Sequence, residues 1–386
     1  MKYLFFTNEC VGLGHLRRAL VLARALTERD PDASVLIVTG APIELAHPLP
    51  PRVDTVKLPM LARDPSGAQR PGRLAIALPD VRALRSQLAL AAARSFRPDV
   101  AVVDKAPLGL GDELARALAW LRGAGTRLVL GLRDIEDEPA RVRREWGRPS
   151  LRTAFERLYD AVLVYGPEGT RHHALACLGW EASVPVQNVG YLAAPPLAAA
   201  TDVPPEYVLV TPGGGADGAR LVGAFLDAVR LKPLPVPALV VTGPLMPEAD
   251  ARAVRERAAK LDVIVQTFRT DLDGAIATAR AVVAMAGYNT VSELLRTGRP
   301  ALLVPRTHPS REQAVRAELL RKAGRVDVLY PHELDAERMR ASVGRLLATR
   351  PYPSQGDYAG AGRAVAVLEK LGRATATEHE LLEEAS

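Results

Sequence analysis

An α/β protein with two doubly wound parallel sheets is the fold class this sequence predicts, on three observations. Short uninterrupted apolar runs alternate with amphipathic stretches along most of the 386 residues, which is how strands buried on both faces and their covering helices read. The order strand, glycine-rich turn, helix opens the chain near Tyr3 and opens it again near Tyr207. Between those starts lies an Ala- and Pro-dominated tract, 193–205, with no amphipathic period, the composition of a linker. The predicted organisation is an N-terminal Rossmann-like domain over 1–195, a linker over 196–206 and a C-terminal Rossmann-like domain over 207–354, the two domains facing one another.

In the N-terminal half, residues 3–7 read as a strand, 10–15 (Cys-Val-Gly-Leu-Gly-His) as the turn, and 16–29 as a helix striped by Leu16, Leu20, Ala23 and Leu26. Strands follow at 34–39 and 53–58. A helix over 82–96 leads to 98–104, a buried strand ending on the carboxylate of Asp104. A helix over 110–122 and strands over 127–132 and 161–165 complete this half, while the loops 42–51, 61–74 and 136–151 carry no period. The C-terminal half alternates strands at 207–211, 238–242, 263–266, 281–285 and 301–304 with helices at 219–230, 249–260, 272–279, 290–297 and 312–322. A helix over 334–347 stops before Pro351-Tyr352-Pro353. A last helix over 361–371 precedes an acidic tail, 378–386, read as frayed.

Composition narrows the function classes. An apolar fraction of 48% and a charged fraction of 24% exclude a disordered, collagen-like or coiled-coil chain. No apolar stretch reaches the roughly 18 residues of a membrane helix, and the short N-terminal apolar run lacks the features of a signal peptide. Two cysteines, Cys10 and Cys177, are too few for a disulfide framework or a zinc site, so a cytoplasmic location is expected. The net charge of +6 includes only seven Lys, and the 43 Arg speak for a GC-rich genome as much as for a function. The basic residues are scattered with few aromatics between them, so no nucleic-acid partner is expected. A mildly basic surface suits a nucleotide or an anionic membrane.

Three places carry chemistry. The first turn, Gly12-Leu13-Gly14-His15, departs from the dinucleotide fingerprint because Arg17 stands where a third small residue belongs. Its glycines admit a ligand to the backbone, and the helix start favours negative charge. His15 can take a proton near neutral pH, with Asp104 orienting or sharing it. The plainer alternative is a tight turn with a solvated His and with Asp104 as a cap. In the second turn, Gly213-Gly214-Gly215, consecutive glycines bring no packing benefit and cost chain entropy. A phosphate cradle explains them; a flexible turn is the alternative. In the third place, 285–295, a buried strand ends at Ala286-Gly287 and a helix begins near Asn289 or Thr290. Either Asn289 and Thr290 cap the helix with Glu293 closing a capping box, or free N–H groups hold a phosphate and Glu293 accepts from a ribose diol.

Residues 266–317 resemble the donor-binding half of GT-B glycosyltransferases, and most closely the peptidoglycan lipid-intermediate N-acetylglucosaminyltransferases and their relatives. The matching pieces are Thr267-Phe268-Arg269 with Asp271-Leu272, the run from Gly287 through Tyr288, Asn289, Thr290, Val291, Ser292 and Glu293 to Leu294, Gly298-Arg299-Pro300 through Arg306, and Arg311-Glu312-Gln313 through Ala317. Gly12-Leu13-Gly14-His15-Leu16-Arg17-Arg18 is similar to the glycine-rich His loop at the start of that family, with fewer glycines. The resemblance implies a GT-B architecture whose last helix, about 355–380, packs back on the N-terminal domain.

It also implies roles. The Phe268 segment, with Arg269, would hold the nucleobase, largely through backbone atoms. Gly213, Gly214, Gly215, Gly287, Asn289 and Thr290 would face the diphosphate. Glu293 would bind the ribose, and Glu312 and Gln313 the sugar. Gly12, Gly14 and Arg17 would form an acceptor or phosphate loop, with His15 and Asp104 as the catalytic pair. The activity implied is transfer of a sugar from a nucleotide-diphosphate sugar, a UDP-sugar favoured, to a hydroxyl or amine, with inversion. Asp271-Leu272-Asp273 is the Asp-x-Asp run at hand and lies at a helix start, so neither metal nor other cofactor is expected. The acceptor is a small molecule, a glycan or a lipid-linked sugar. Peripheral contact with the inner face of the membrane is compatible with this, although no hydrophobic and basic docking patch is legible. A nucleotide-sugar hydrolase or epimerase of the same fold, or a non-catalytic nucleotide-sugar-binding protein, is the alternative.

Overall fold

Each apolar run becomes a parallel strand because helices cover it on both faces. The structure is a computed structural model that describes residues 1–8, 13–42, 48–64, 67–167, 172–181, 183–193, 200, 202–354 and 358–384, with side chains up to residue 374. The chain divides into two compact units, Met1–Leu192 with Asp357–Ser386, and Ala193–Gly356.

The first unit begins with β1 (Lys2–Phe6), α1 (Gly14–Arg29), β2 (Ser34–Thr39) and β3 (Val53–Lys57), then a hairpin of β4 (Leu61–Arg63) and β5 (Gln69–Pro71). It continues through α2 (Leu78–Phe96), β6 (Val100–Asp104), α3 (Ala115–Gly123), β7 (Arg127–Arg133), α4 (Pro139–Trp146), α5 (Pro149–Leu158), β8 (Ala161–Tyr165), α6 (His173–Leu178) and β9 (Val186–Asn188). Among the described residues the main sheet runs β3-β2-β1-β6-β7-β8-β9, with every pair parallel. Strand order reverses between β1 and β6, and such a reversal opens a crevice at the carboxyl ends. The register Phe6↔Val103 places the two chain exits there side by side.

Beneath this crevice, α2 and α3 close one face of the sheet with Ala89, Leu90, Ala93, Leu118 and Leu121. A buried ion pair also ties α2 to the turn ahead of α3. Arg85 Nε and Nη2 donate to the two Glu113 oxygens at 2.5 and 2.7 Å, and Arg85 Nη1 donates to the Pro59 carbonyl at 2.6 Å. The segment read as one helix over 110–122 is a short 3-10 turn, Leu110–Asp112, ahead of α3, because Gly111 and Asp112 take positive φ.

The second unit comprises β10 (Val208–Thr211), α7 (Ala219–Leu231), β11 (Ala238–Val241), α8 (Glu248–Ala258), β12 (Val263–Gln266), α9 (Leu272–Thr278), β13 (Ala281–Ala284), α10 (Tyr288–Thr297), β14 (Ala301–Leu303), α11 (Glu312–Lys322), β15 (Asp327–Val328) and α12 (Ala336–Ala348). Its parallel sheet runs β12-β11-β10-β13-β14-β15, so order reverses between β10 and β13, where Thr211 pairs with Ala284. The final helix, α13 (Gly360–Glu384), belongs to the first unit. There Arg29 Nε donates to Glu369 Oε2 at 3.0 Å, and Arg363 Nε donates to the Val189 carbonyl at 2.8 Å. The helix runs on to Glu384, past the end at 371 that its sequence led us to expect. No helix among the described residues is long and apolar enough to cross a membrane.

Glu113→Ala leaves the fully buried Arg85 guanidinium uncompensated and is expected to destabilise the first unit by about 3–5 kcal/mol. The pair replaced together, Arg85→Met with Glu113→Leu, recovers most of that loss. Trp120, Trp146 and Trp180 all lie in this unit, so denaturant unfolding followed by tryptophan fluorescence reads it selectively. A loss below about 1 kcal/mol for Glu113→Ala, the worth of an exposed pair, contradicts this account.

Candidate active site

In the first unit, β6 ends on Asp104, only 6% exposed, and α1 begins at Gly14. One turn of α1 brings His15 and Arg18 onto the same face. His15 Nδ1 lies 2.5 Å from Asp104 Oδ2, and Arg18 Nη2 lies 2.6 Å from the same oxygen. Arg18 Nε reaches Asp104 Oδ1 at 3.4 Å. The Asn8 amide donates to the Asp104 backbone carbonyl. An ionised carboxylate only accepts, so Nδ1 carries the imidazole proton and Nε2 keeps the lone pair.

The electrostatics agree with that tautomer. Burial pushes the His15 imidazole down to about 4, against the upward pull of Asp104 and with Arg18 and Arg133 adding to the fall. Burial alone would raise the Asp104 carboxyl, but Arg18 and then His15 outweigh it and hold the group well below the usual carboxylate range. The imidazole is therefore neutral near pH 7, the state a general base requires. The next residue, Lys105, sits at φ 72°, a left-handed strain of the kind that gathers at functional sites.

Sequence reasoning gave Arg17 to an acceptor or phosphate loop and gave Arg18 no role; Arg18 is the residue on the carboxylate, buried where Arg17 is half-buried. The i, i+3 spacing from His15 was the available signal. Gly14 opens α1. Gly12 lies outside the described residues.

In the second unit the exits of β10 and β13 are adjacent. Gly213 and Gly215 take φ 73° and 92°, conformations that favour glycine. A Cβ on Gly215 would come within 2.3 Å of the Thr242 carbonyl, whereas beside Gly213 there is open space. Packing therefore does require glycine at 215, contrary to the expectation of no packing benefit: two loop backbones touch there, joined by Leu245 N donating to the Gly214 carbonyl at 2.8 Å.

The helix after β13 begins at Tyr288, one or two residues earlier than the sequence indicates, with Gly287 as its N-cap and no side-chain capping bond. The capping-box reading fails. Asn289 and Thr290 lie inside the first turn rather than ahead of it. Glu293 is buried and pairs with Arg296, whose Nε and Nη2 stand 2.8 and 2.6 Å from Oε2. This helix end lies at the exit of β13, where strand order reverses. Such an end favours an anion.

Two bonds tie α11 to the same place. Arg316 Nη1 donates to Glu312 Oε1 at 2.6 Å and to the Ala286 carbonyl at 3.0 Å, and the Gln313 side-chain oxygen accepts from Arg306 N at 3.0 Å. Phe268 is exposed beyond β12. Arg269, the next residue, is buried. Its guanidinium donates to Asp202, Asp271 and Gln266 at 2.6–3.2 Å, which uses all five of its N–H groups and makes it the staple of that loop. No group of three His, Cys, Asp or Glu among the described residues is placed to hold a metal ion.

Two Rossmann-like units with these exits define a GT-B fold. The chain aligns with MurG of Acinetobacter baumannii at a TM-score of 0.55 and 16% identity, covering 96% of this chain and all of that one. It aligns with CalG4, the calicheamicin glycosyltransferase, at 0.58 and 17%, covering 99% and 98%. More specifically, residues 207–368 match the C-terminal domain of glycosyltransferase family 28. A relative from Phenylobacterium zucineum (strain HLK1), UDP-N-acetylglucosamine--N-acetylmuramyl-(pentapeptide) pyrophosphoryl-undecaprenol N-acetylglucosamine transferase, is 34% identical over 197 residues, 48% of this chain and 53% of that protein. The chain thus spans about half the length of that curated relative, and it resembles the MurG type.

Gly287→Asp supplies the missing cap in place of a ligand. It is expected to leave stability unchanged or raise it by a few tenths of a kcal/mol. It should weaken UDP binding at least tenfold by calorimetry, since a carboxylate then occupies the anion's position. Unchanged UDP affinity would remove α10 from the site.

Proposed function

We propose that the chain is a glycosyltransferase that moves a sugar from a UDP-sugar to an acceptor hydroxyl or amine. The observation that carries this is the place of the N-terminus of α10, with Gly287 at its cap position, at the strand reversal of the unit matching the family 28 C-terminal domain. The diphosphate would accept from the first N–H groups of α10, with the Gly213–Gly215 turn beside it. Glu293, held by Arg296, would meet the ribose, and the Gln313 amide the sugar. Phe268 would lie against the base.

The His15–Asp104 pair supports an enzyme over a binding protein. His15 Nε2 would take the acceptor proton as the new bond forms at the anomeric carbon, Asp104 keeping Nδ1 protonated. The bond to the β-phosphate breaks in the same displacement, which inverts that carbon, and UDP leaves with the electron pair. Helix N–H groups would meet the charge growing on the diphosphate, so no metal is required of this mechanism. UDP should raise the melting temperature more than GDP, dTDP or ADP, because a ligand of the native state stabilises it. His15→Ala should cut kcat about 100-fold or more in EDTA-containing buffer while UDP affinity holds. No shift with any nucleotide refutes the donor site.

The acceptor would be a small molecule, a glycan or a lipid-linked sugar, met at the cytoplasmic face. Leu74 and Ile76 are 44% and 45% exposed, and the nearby Arg70 and Arg73 are exposed too. This apolar and basic stretch suits peripheral contact with anionic lipid. Phosphatidylglycerol vesicles should sediment the protein and release it on Leu74→Ser with Ile76→Ser. Equal sedimentation of that double variant discards the contact.

A further inference from the structure

The cation buried beside the candidate base has no part in the mechanism above. Arg18 is 3% exposed, and a buried ion pair is weak evidence of a purely stabilising role. Its placement is specific: Nη2 stands 2.6 Å from the Asp104 oxygen that His15 also uses, and 2.9 Å from His15 Nδ1 itself. With Nδ1 protonated, that last approach sets two donors against each other, so it is a repulsive contact and not a hydrogen bond. Both donors converge on Oδ2, while Arg18 Nε lies near Oδ1.

We propose that Arg18 is the positioning residue of the candidate base, gripping Asp104 from one side so that the carboxylate orients His15 without drawing a second proton onto it. The charge arithmetic supports this. Arg18 and Asp104 cancel, so a protonated His15 would leave a net buried cation. Among the described residues, the charged groups acting most strongly on the ring are Asp104 at the end of β6, Arg18 on its own helix and Arg133 at the end of β7, the last also 3.8 Å from Glu136. In a pair without Arg18, the carboxylate charge is left to stabilise imidazolium and the base fills with protons at higher pH. Burial, with Arg18 adding to it, keeps the ring neutral well below neutrality.

The rate measurements rest on the transferase reading; the titration does not. The His15 ring resonance, identified by its loss in His15→Gln, is followed by NMR against pH. From about 4 in the native protein, the midpoint should rise by at least one unit in Arg18→Met, a tenfold gain in proton affinity. The acid limb of kcat/KM should move up with it. Arg18→Lys, which keeps the charge and is the gentler change for the fold, should titrate near the native midpoint and recover part of kcat. A folded Arg18→Met that titrates where the native protein does, or a Lys variant that shifts as far as Met, overturns the proposal. Absence of sugar transfer by the native protein would instead count against the transferase reading and leave the titration to decide the role of Arg18.

Discussion

Everything placed at the two candidate sites depends on one constraint, the reversal of strand order in a parallel sheet. A strand with neighbours that follow it on both sides must send its outgoing chain one way and its neighbour's the other, and between the exits nothing fills the carboxyl edge. This happens between β1 and β6 and again between β10 and β13. The registers Phe6↔Val103 and Thr211↔Ala284 bring chain exits far apart in sequence next to each other. His15 and Asp104 meet across 89 residues for this reason. The glycine turn after β10 and the start of α10 likewise follow neighbouring strand ends.

The two exits treat negative charge in opposite ways. In the first unit an anion of the protein is buried and neutralised: Asp104 is held by Arg18 and by the His15 N–H. In the second, cations near the exit are turned onto protein carboxylates, Arg316 onto Glu312 and Arg269 onto Asp202 and Asp271, while helix α10 begins without a cap.

Much of this was legible in the sequence because periodicity reports burial. The strands at 34–39, 161–165 and 263–266 and the helix at 312–322 lie where their apolar runs put them. What was not legible depends on single residues whose meaning is set in three dimensions. Pro139 and Pro149 fall in 136–151, read as a loop, yet each opens a helix, α4 and α5, at the first turn where a missing N–H does no harm. The β4–β5 hairpin is three residues a side, too short to show a period. Asn289, Thr290 and Glu293 satisfied a capping rule that the helix does not use.

That failure of the capping rule is informative. A cap made by a side chain and a cap made by a ligand ask the same thing of the backbone, so a sequence pattern cannot tell them apart; only the position of the first helical residue can. Starting α10 at Tyr288 moves Asn289 and Thr290 past the point where their side chains could close the turn, and it leaves the N-cap to Gly287, which has no side chain to offer. A strongly amphipathic helix, buried through Val291 and Leu294, does not need its own cap to persist, because tertiary packing supplies most helical stability.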